Sequence, residues 1–218
     1  MQATRIVAVR HGETAWNVDT RIQGHLDIPL NDTGLWQAER LARALVGEPI
    51  AAIYTSDLQR ARATAQAVAR ATGAPLSTEP GLRERSFGCF QGRTFAQIEA
   101  ERPEDARRWR RREPDYAPEG GESLAALRAR ITRITHTLAQ QHLGEQVLLV
   151  AHGGVLDTLY RLATGQEIQT PRTWQLSNAA INRLLWTPDG LTLVGWADTR
   201  HLDEADEADE AARDEPHS

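Results

Sequence analysis

The sequence predicts an α/β protein with a largely parallel sheet. Short apolar runs alternate with stretches of helical composition along the 218 residues, the pattern of strand-helix units. Two of the runs, Ile6-Val7-Ala8-Val9 and Gln146 to Val150, lead into a His-Gly pair, at His11-Gly12 and at His152-Gly153. Open α/β sheets bind ligands beyond the carboxyl ends of their strands. Both histidines fall at such ends, 141 residues apart in the chain.

The elements follow in order. Ile6 to Val9 reads as a buried strand that stops at Arg10-His11-Gly12, before a loop containing Gly24 and Pro29. Thr33 is placed to cap a helix over about 34–47, with Gly47 near its end. Ala51 to Thr55 reads as a second strand, and the Ala-rich stretch 58–72 as a helix that closes at Gly73-Ala74-Pro75. Residues 80–121 are less regular, with short helical pieces near 94–101 and 104–112. Ser123 starts a helix over about 123–142, and a further helix over 154–164 follows the Gln146–Val150 strand. Two last strands, near 180–186 and 191–197, flank the turn Pro188-Asp189-Gly190.

Composition removes several chemistries. All 25 basic residues are arginine. A P-loop and a protein kinase each need a lysine on the phosphates, and a Schiff base needs an amine. Arginine still suits anions, because its planar fork meets phosphate oxygens two at a time. Cys89 is the only cysteine, so neither an intrachain disulfide nor a cysteine-based zinc site is available. A cysteine-phosphatase reading fails on spacing: Arg93 lies four residues after Cys89, where such sites need six. The net charge of −5 is uneven, since residues 202–218 alone carry −7 and leave +2 for residues 1–201. Residues 1–201 are read as one domain and 202–218 as a disordered acidic tail. No apolar run approaches the roughly 18–20 residues that cross a bilayer. The N-terminus lacks the regions of a signal peptide, so the expected location is the cytoplasm, with no membrane partner. Nucleic acid is not expected either, because no recognition motif accompanies the run Arg107-Arg108-Trp109-Arg110-Arg111-Arg112. That run is either the solvated face of a helix or a grip on a second anionic group. The sequence does not fix the oligomeric state, and a homodimer is compatible with it.

A phosphate monoester resists hydrolysis, so its enzyme needs a nucleophile, cations for the transferring oxygens and a proton for the leaving oxygen. The chain offers all three near strand ends or in adjoining loops. His11 or His152 can be the nucleophile, Arg10 and Arg60 the cations, Asn17 a hydrogen-bond donor and Glu84 the acid. His25, beside Gly24, reads as a loop histidine.

Five segments then match one family in order over about 1–154. Val9-Arg10-His11-Gly12-Glu13-Thr14 resembles the Arg-His-Gly signature of the histidine phosphatase superfamily, in its phosphoglycerate-mutase-like branch. Asn17 stands six residues after His11, as in that family. Ser56-Asp57-Leu58-Gln59-Arg60-Ala61 resembles its second Arg motif. Leu82-Arg83-Glu84 with Phe87-Gly88 and Gln91-Gly92 resembles its acid loop, and Val150-Ala151-His152-Gly153-Gly154 its second His motif.

The resemblance implies a three-layer α/β/α sandwich with a mostly parallel sheet, and a segment near 85–121 acting as a lid or insertion over the site. It implies that His11 is the phosphorylated nucleophile and that Arg10, Arg60 and His152 bind the phosphoryl oxygens. Asn17, Gln23, Gly24 and Gly153 would add substrate contacts. Glu84 would be the acid and then the base that activates water. No metal and no cofactor would be required. The segment from Glu84 to Ser123 is short, and Pro118-Glu119-Gly120-Gly121-Glu122-Ser123 resembles the phosphatase-type members. The expected activity is therefore hydrolysis of a small phosphorylated metabolite. A phosphoglycerate mutase, which would need 2,3-bisphosphoglycerate, is the alternative, and a non-catalytic phospho-ligand module is a remote one.

Overall fold

A computed structural model describes residues 2–203. Strands β1 (Thr4–Arg10), β2 (Ile50–Thr55), β3 (Leu76–Thr78), β4 (Gln146–Ala151), β5 (Ile181–Thr187) and β6 (Gly190–Asp198) form, among the described residues, a six-stranded sheet in the order β3-β2-β4-β1-β5-β6. β1 to β4 pair in parallel, and β5 runs antiparallel between β1 and β6. Every residue of β4 is buried. A parallel strand covered on both faces has no polar side, which is why Val147 to Ala151 reads as an unbroken apolar run.

The helices are α1 (Ala15–Val18), α2 (Asp32–Ala44), α3 (Gln59–Thr72), α4 (Phe95–Glu101), α5 (Pro103–Arg110), α6 (Leu124–Gln141), α7 (Gly153–Thr164) and α8 (Arg200–Asp203). Side chains alternate across a strand, and β1 divides the core accordingly. Ile6 and Ala8 share one cluster with Leu127 and Ile131 of α6 and Val155 and Leu159 of α7. Val7 and Val9 share the other with Ala38 and Leu41 of α2 and Ala61 and Ala65 of α3. The result is the α/β/α sandwich. Each buried Leu, Ile or Val side chain contributes roughly 1.5–3 kcal/mol, so both faces hold the middle of the sheet. After β1 the chain passes to α2 on one face, and after β4 it passes to α7 on the other. A crevice opens where neighbouring strands send their connections to opposite faces.

Three expectations need correction. α2 begins at Asp32 and is capped by Asn31, not Thr33: Asn31 Oδ1 accepts the Gly34 N–H at 2.8 Å. Both residue types cap well. Asn31 also donates to Glu13 Oε1 at 2.8 Å, a tertiary contact that local pattern does not reveal. β3 has no counterpart among the expected strands, because a three-residue, largely exposed edge strand offers no period to read. The segment read as an acidic tail from 202 starts in structure, since Leu202 and Asp203 close α8. Leu202 N–H donates to Thr199 O at 2.7 Å, and Arg40 of α2 holds His201 O at 2.8 Å. The rest of that segment, 204–218, lies outside the described residues. No helix among the described residues is long and apolar enough to cross a membrane.

Candidate active site

The parallel register of β1 and β4 pairs Arg10 with Ala151, so the next residues, His11 and His152, emerge side by side. Their ring centroids are 5.2 Å apart. This register closes the gap of 141 residues.

The backbone of His11 is held on three sides. Its N–H donates to Ala151 O at 3.0 Å, its carbonyl accepts from Asn178 Nδ2 at 2.8 Å, and the Arg10 carbonyl accepts from Ala179 N–H at 2.9 Å. Ala179 adopts a left-handed φ of 57°, unusual for a residue with a Cβ. Gly12 lies against the first turn of α2, and a Cβ there would land on the Gly34 carbonyl. Only glycine admits that approach.

The ring of His11 is oriented by two contacts. Nδ1 lies 2.7 Å from Gly12 O, so it carries the hydrogen. Nε2 keeps its lone pair, and Arg60 Nε points at it from 3.3 Å. Burial, then the charges of Arg10 and Arg60, hold the His11 pKa well below 6.5. Burial, then Arg60, does the same for His152. Both rings are neutral near pH 7.

Two cations stand with them, one buried and one half-buried. Arg60, on the first turn of α3, is fully buried and donates to Leu26 O at 2.9 Å and to Gly24 O at 2.8 Å. Burial lowers its pKa to about 10, which leaves it charged at neutral pH. Arg10 donates through Nη1 to Leu176 O at 2.6 Å, and its Nε is buried without a partner. His152 Nδ1 and Gln23 Oε1 are orphaned in the same way. Buried polar atoms are nearly always bonded. Arg10 Nε, a donor close to the buried Arg60 cation, marks a place for an anion.

Glu84 meets this site through α7. Gly154 N–H donates to both of its oxygens at 3.0 Å, and Arg85 N–H donates to Oε1 at 2.7 Å. A Cβ at Gly154 would land on Glu84 Oε1. The flanking arginines point elsewhere. Arg83 pairs with Asp57 at 2.6 Å, and Arg85 donates to Glu122 O at 2.7 Å and Tyr116 O at 3.1 Å. His25 Nε2 lies 2.8 Å from the Glu84 carbonyl, so this histidine braces the acid loop. The half-buried Glu84 carboxylate thus lies against the first turn of α7, where Gly153 has both it and Arg10 close by.

The remaining expected residues divide. Gly24 sits at φ 53° beside Gln91, and Gly153 lies next to Arg10 and Glu84. Asn17 completes the capping box of α1 with Thr14: its Oδ1 accepts from Thr14 N–H at 3.0 Å. The arginine run is split: Arg107 and Arg108 are exposed and pair with Glu104 and Glu113. Arg110 and Arg112 border a cavity of about 810 Å³ that also touches Arg10, Glu84, Trp109 and Arg172. Sequence reasoning missed Ser56, Asn178 and Arg172. Ser56 lay inside a matched segment but had no assigned task, and the other two come from segments without a motif. Among the described residues, no three His, Cys, Asp or Glu side chains cluster as metal ligands would.

A family model described as "Histidine phosphatase superfamily (branch 1)" matches residues 6–199. Phosphoglycerate mutase-like protein 4 of Arabidopsis thaliana is 39% identical over 203 residues, covering 91% of this chain and 87% of its own length. The metal-independent phosphoserine phosphatase of the same plant is 37% identical over 205 residues, covering 92% and 84%. The solved structure of mycobacterial glucosyl-3-phosphoglycerate phosphatase complexed with VO3 matches with a TM-score of 0.80 at 32% identity, covering 89% of this chain and 99% of that one.

Proposed function

The chain belongs to the histidine phosphatase superfamily, and on that premise we propose that it is a metal-independent phosphatase hydrolysing small phosphate monoesters through a phosphohistidine on His11. The phosphatase reading is supported by the relatives named as phosphatases. The observation that carries the mechanism is the orientation of His11, whose Nδ1 is committed to Gly12 O while its Nε2 lone pair faces Arg60.

In the first half-reaction Nε2 attacks phosphorus and the bond from phosphorus to the ester oxygen breaks. Glu84 gives its proton to that oxygen, so the product leaves as an alcohol. Arg10, Arg60 and His152 hold the three oxygens left on phosphorus, and the Asn17 amide assists. Gln23, Gly24 and Gly153 add contacts around the group. In the second half-reaction water attacks the phosphohistidine, Glu84 takes a proton from it, and His11 leaves neutral. The fixed cations and donors supply the charge neutralisation, which is why no metal or other cofactor enters. Residues 85–121 act as a lid or insertion whose side chains read the leaving group; Trp109, Arg110 and Arg112 support this by bordering the cavity next to Glu84. The cytoplasm is the proposed location, consistent with a single free cysteine.

The test offers p-nitrophenyl phosphate and 3-phosphoglycerate, each with and without 2,3-bisphosphoglycerate. Release of inorganic phosphate without the bisphosphate, insensitive to EDTA, is the expected result. Bisphosphate-dependent isomerisation with negligible hydrolysis would sink the phosphatase reading in favour of the mutase, which the name of the 39% relative keeps in view. For an alkyl phosphate, Glu84→Gln lowers kcat by about 10²–10⁴, the usual worth of a positioned general acid. The loss is smaller for p-nitrophenyl phosphate, whose leaving group needs no proton.

A further inference from the structure

The second histidine is oriented by a serine 96 residues away in the chain. Ser56 follows β2 directly, is fully buried, and places Oγ 2.6 Å from His152 Nε2. The Leu58 N–H also points at this oxygen, from 3.4 Å. A neutral imidazole has one N–H and one lone pair, and a serine hydroxyl has one hydrogen to give. If Nε2 carried the hydrogen, Ser56 Oγ would accept two N–H groups and its own hydrogen would be buried without an acceptor. His152 Nδ1, buried without a partner, would then turn a lone pair toward a site built for anions. If Ser56 donates to Nε2 instead, the hydroxyl is satisfied at both ends. Nδ1 then carries the hydrogen and becomes a donor with nothing yet to receive it.

We propose that Ser56 is a positioning residue that fixes His152 as the Nδ1–H tautomer, so that this histidine serves the phosphoryl oxygens as a hydrogen-bond donor. His11 and His152 are then the same tautomer turned opposite ways. His11 hides its N–H in the Gly12 carbonyl and shows a lone pair to phosphorus. His152 hides its lone pair in the Ser56 hydroxyl and shows an N–H to oxygen. The inference rests on the phosphatase reading for what the donor meets; the tautomer itself does not.

The experiment records ring-nitrogen NMR of protein labelled with ¹⁵N-histidine, the His152 signals being assigned by their loss in His152→Gln. The expected wild-type spectrum shows hydrogen on Nδ1 of His152. Hydrogen on Nε2 would overturn the proposal whatever the enzyme does, and this arm needs no Ser56 variant to fold. In Ser56→Ala we expect kcat and orthovanadate affinity to fall together by roughly 10–100-fold, the range seen when partners that orient metal-ligating histidines are removed. The KM falls or rises much less. Ser56→Thr, which keeps the hydroxyl, restores most of both. A folded Ser56→Ala enzyme with unchanged kcat and vanadate affinity would equally refute it. If hydrolysis is absent from the wild type while the Nδ1 hydrogen is seen, the phosphatase reading has failed and the tautomer assignment stands.

Discussion

The ends of β1 and β4 begin alike and finish differently. Both are apolar parallel strands that give way to histidine and then glycine, and they lie in register. Beyond β1 the chain stays in a loop, and His11 is held through its backbone by Ala151 and Asn178. Beyond β4 the helix starts at once, with His152 as the N-cap of α7. One amide of that first turn holds a carboxylate: Gly154 N–H meets both oxygens of Glu84. On the proposed mechanism one end presents the nucleophile, while the other presents a donor and steers the acid. The difference lies in the course of the chain beyond the glycine and in the side chain each ring meets, rather than in the histidine itself.

Substitutions at the two ends separate these roles, and the effects should descend in order. His11→Ala removes the attacking atom, and turnover should fall on the order of 10⁴-fold or more, as for other lost nucleophiles. A stable phosphoenzyme should disappear with it, seen as loss of acid-labile, base-stable label from a ³²P substrate. His152→Ala removes one oxyanion donor, worth about 10²–10³ in kcat, and the phosphoenzyme should still form, only slowly. Equal losses at the two positions would erase the distinction between nucleophile and donor. Gly154→Ala pushes a methyl into Glu84 Oε1. A displacement near 1 Å costs about 10²-fold, and in steady-state assays the loss should be greater for alkyl phosphates than for p-nitrophenyl phosphate.

The smallest effect is on stability. The folded pKa values of His11 and His152 are depressed, chiefly by burial, from 6.5. The unfolded chain takes up protons near that pH and the folded chain does not. Stability is thus fully present above pH 6.5 and drains away as the pH falls below it toward the folded values. Thermal unfolding followed from pH 8 to 5 should show Tm decline below 6.5, less steeply when both histidines are replaced by asparagine.

Much of this was legible in the chain. Apolar runs located β1, β2 and β4, and the motif order located His11, Arg60, Glu84 and His152. The features that stayed hidden depend on partners remote in sequence. Ser56 stood within a recognised segment, yet its task emerges only from the 2.6 Å approach of His152. Asn178 and Ala179 carry no pattern, because a left-handed alanine is dictated by the carbonyl it must reach, not by its own propensity. The arginine run admitted two readings, and the solvated face fits Arg107 and Arg108. Arg107 and Arg108 are solvated, whereas Arg112 turns inward, clamped by Asp157 at 2.8 Å and Ile168 O at 2.7 Å. Arg112 stands beyond the end of α5, at a left-handed φ of 52° that turns the chain off the helix, and composition does not show that turn.

The pinned backbone at the end of β1 also decides how the enzyme fails on heating. Freeing His11 means parting β1 from β4 or from the segment that leads into β5, in the middle of the sheet. Opening of that kind belongs to global rather than local unfolding. The amide hydrogens of His11 and Ala179 should therefore exchange with solvent deuterium among the slowest in the chain. Catalytic activity and tertiary structure should be lost at one temperature, with no interval in which the protein is folded but dead.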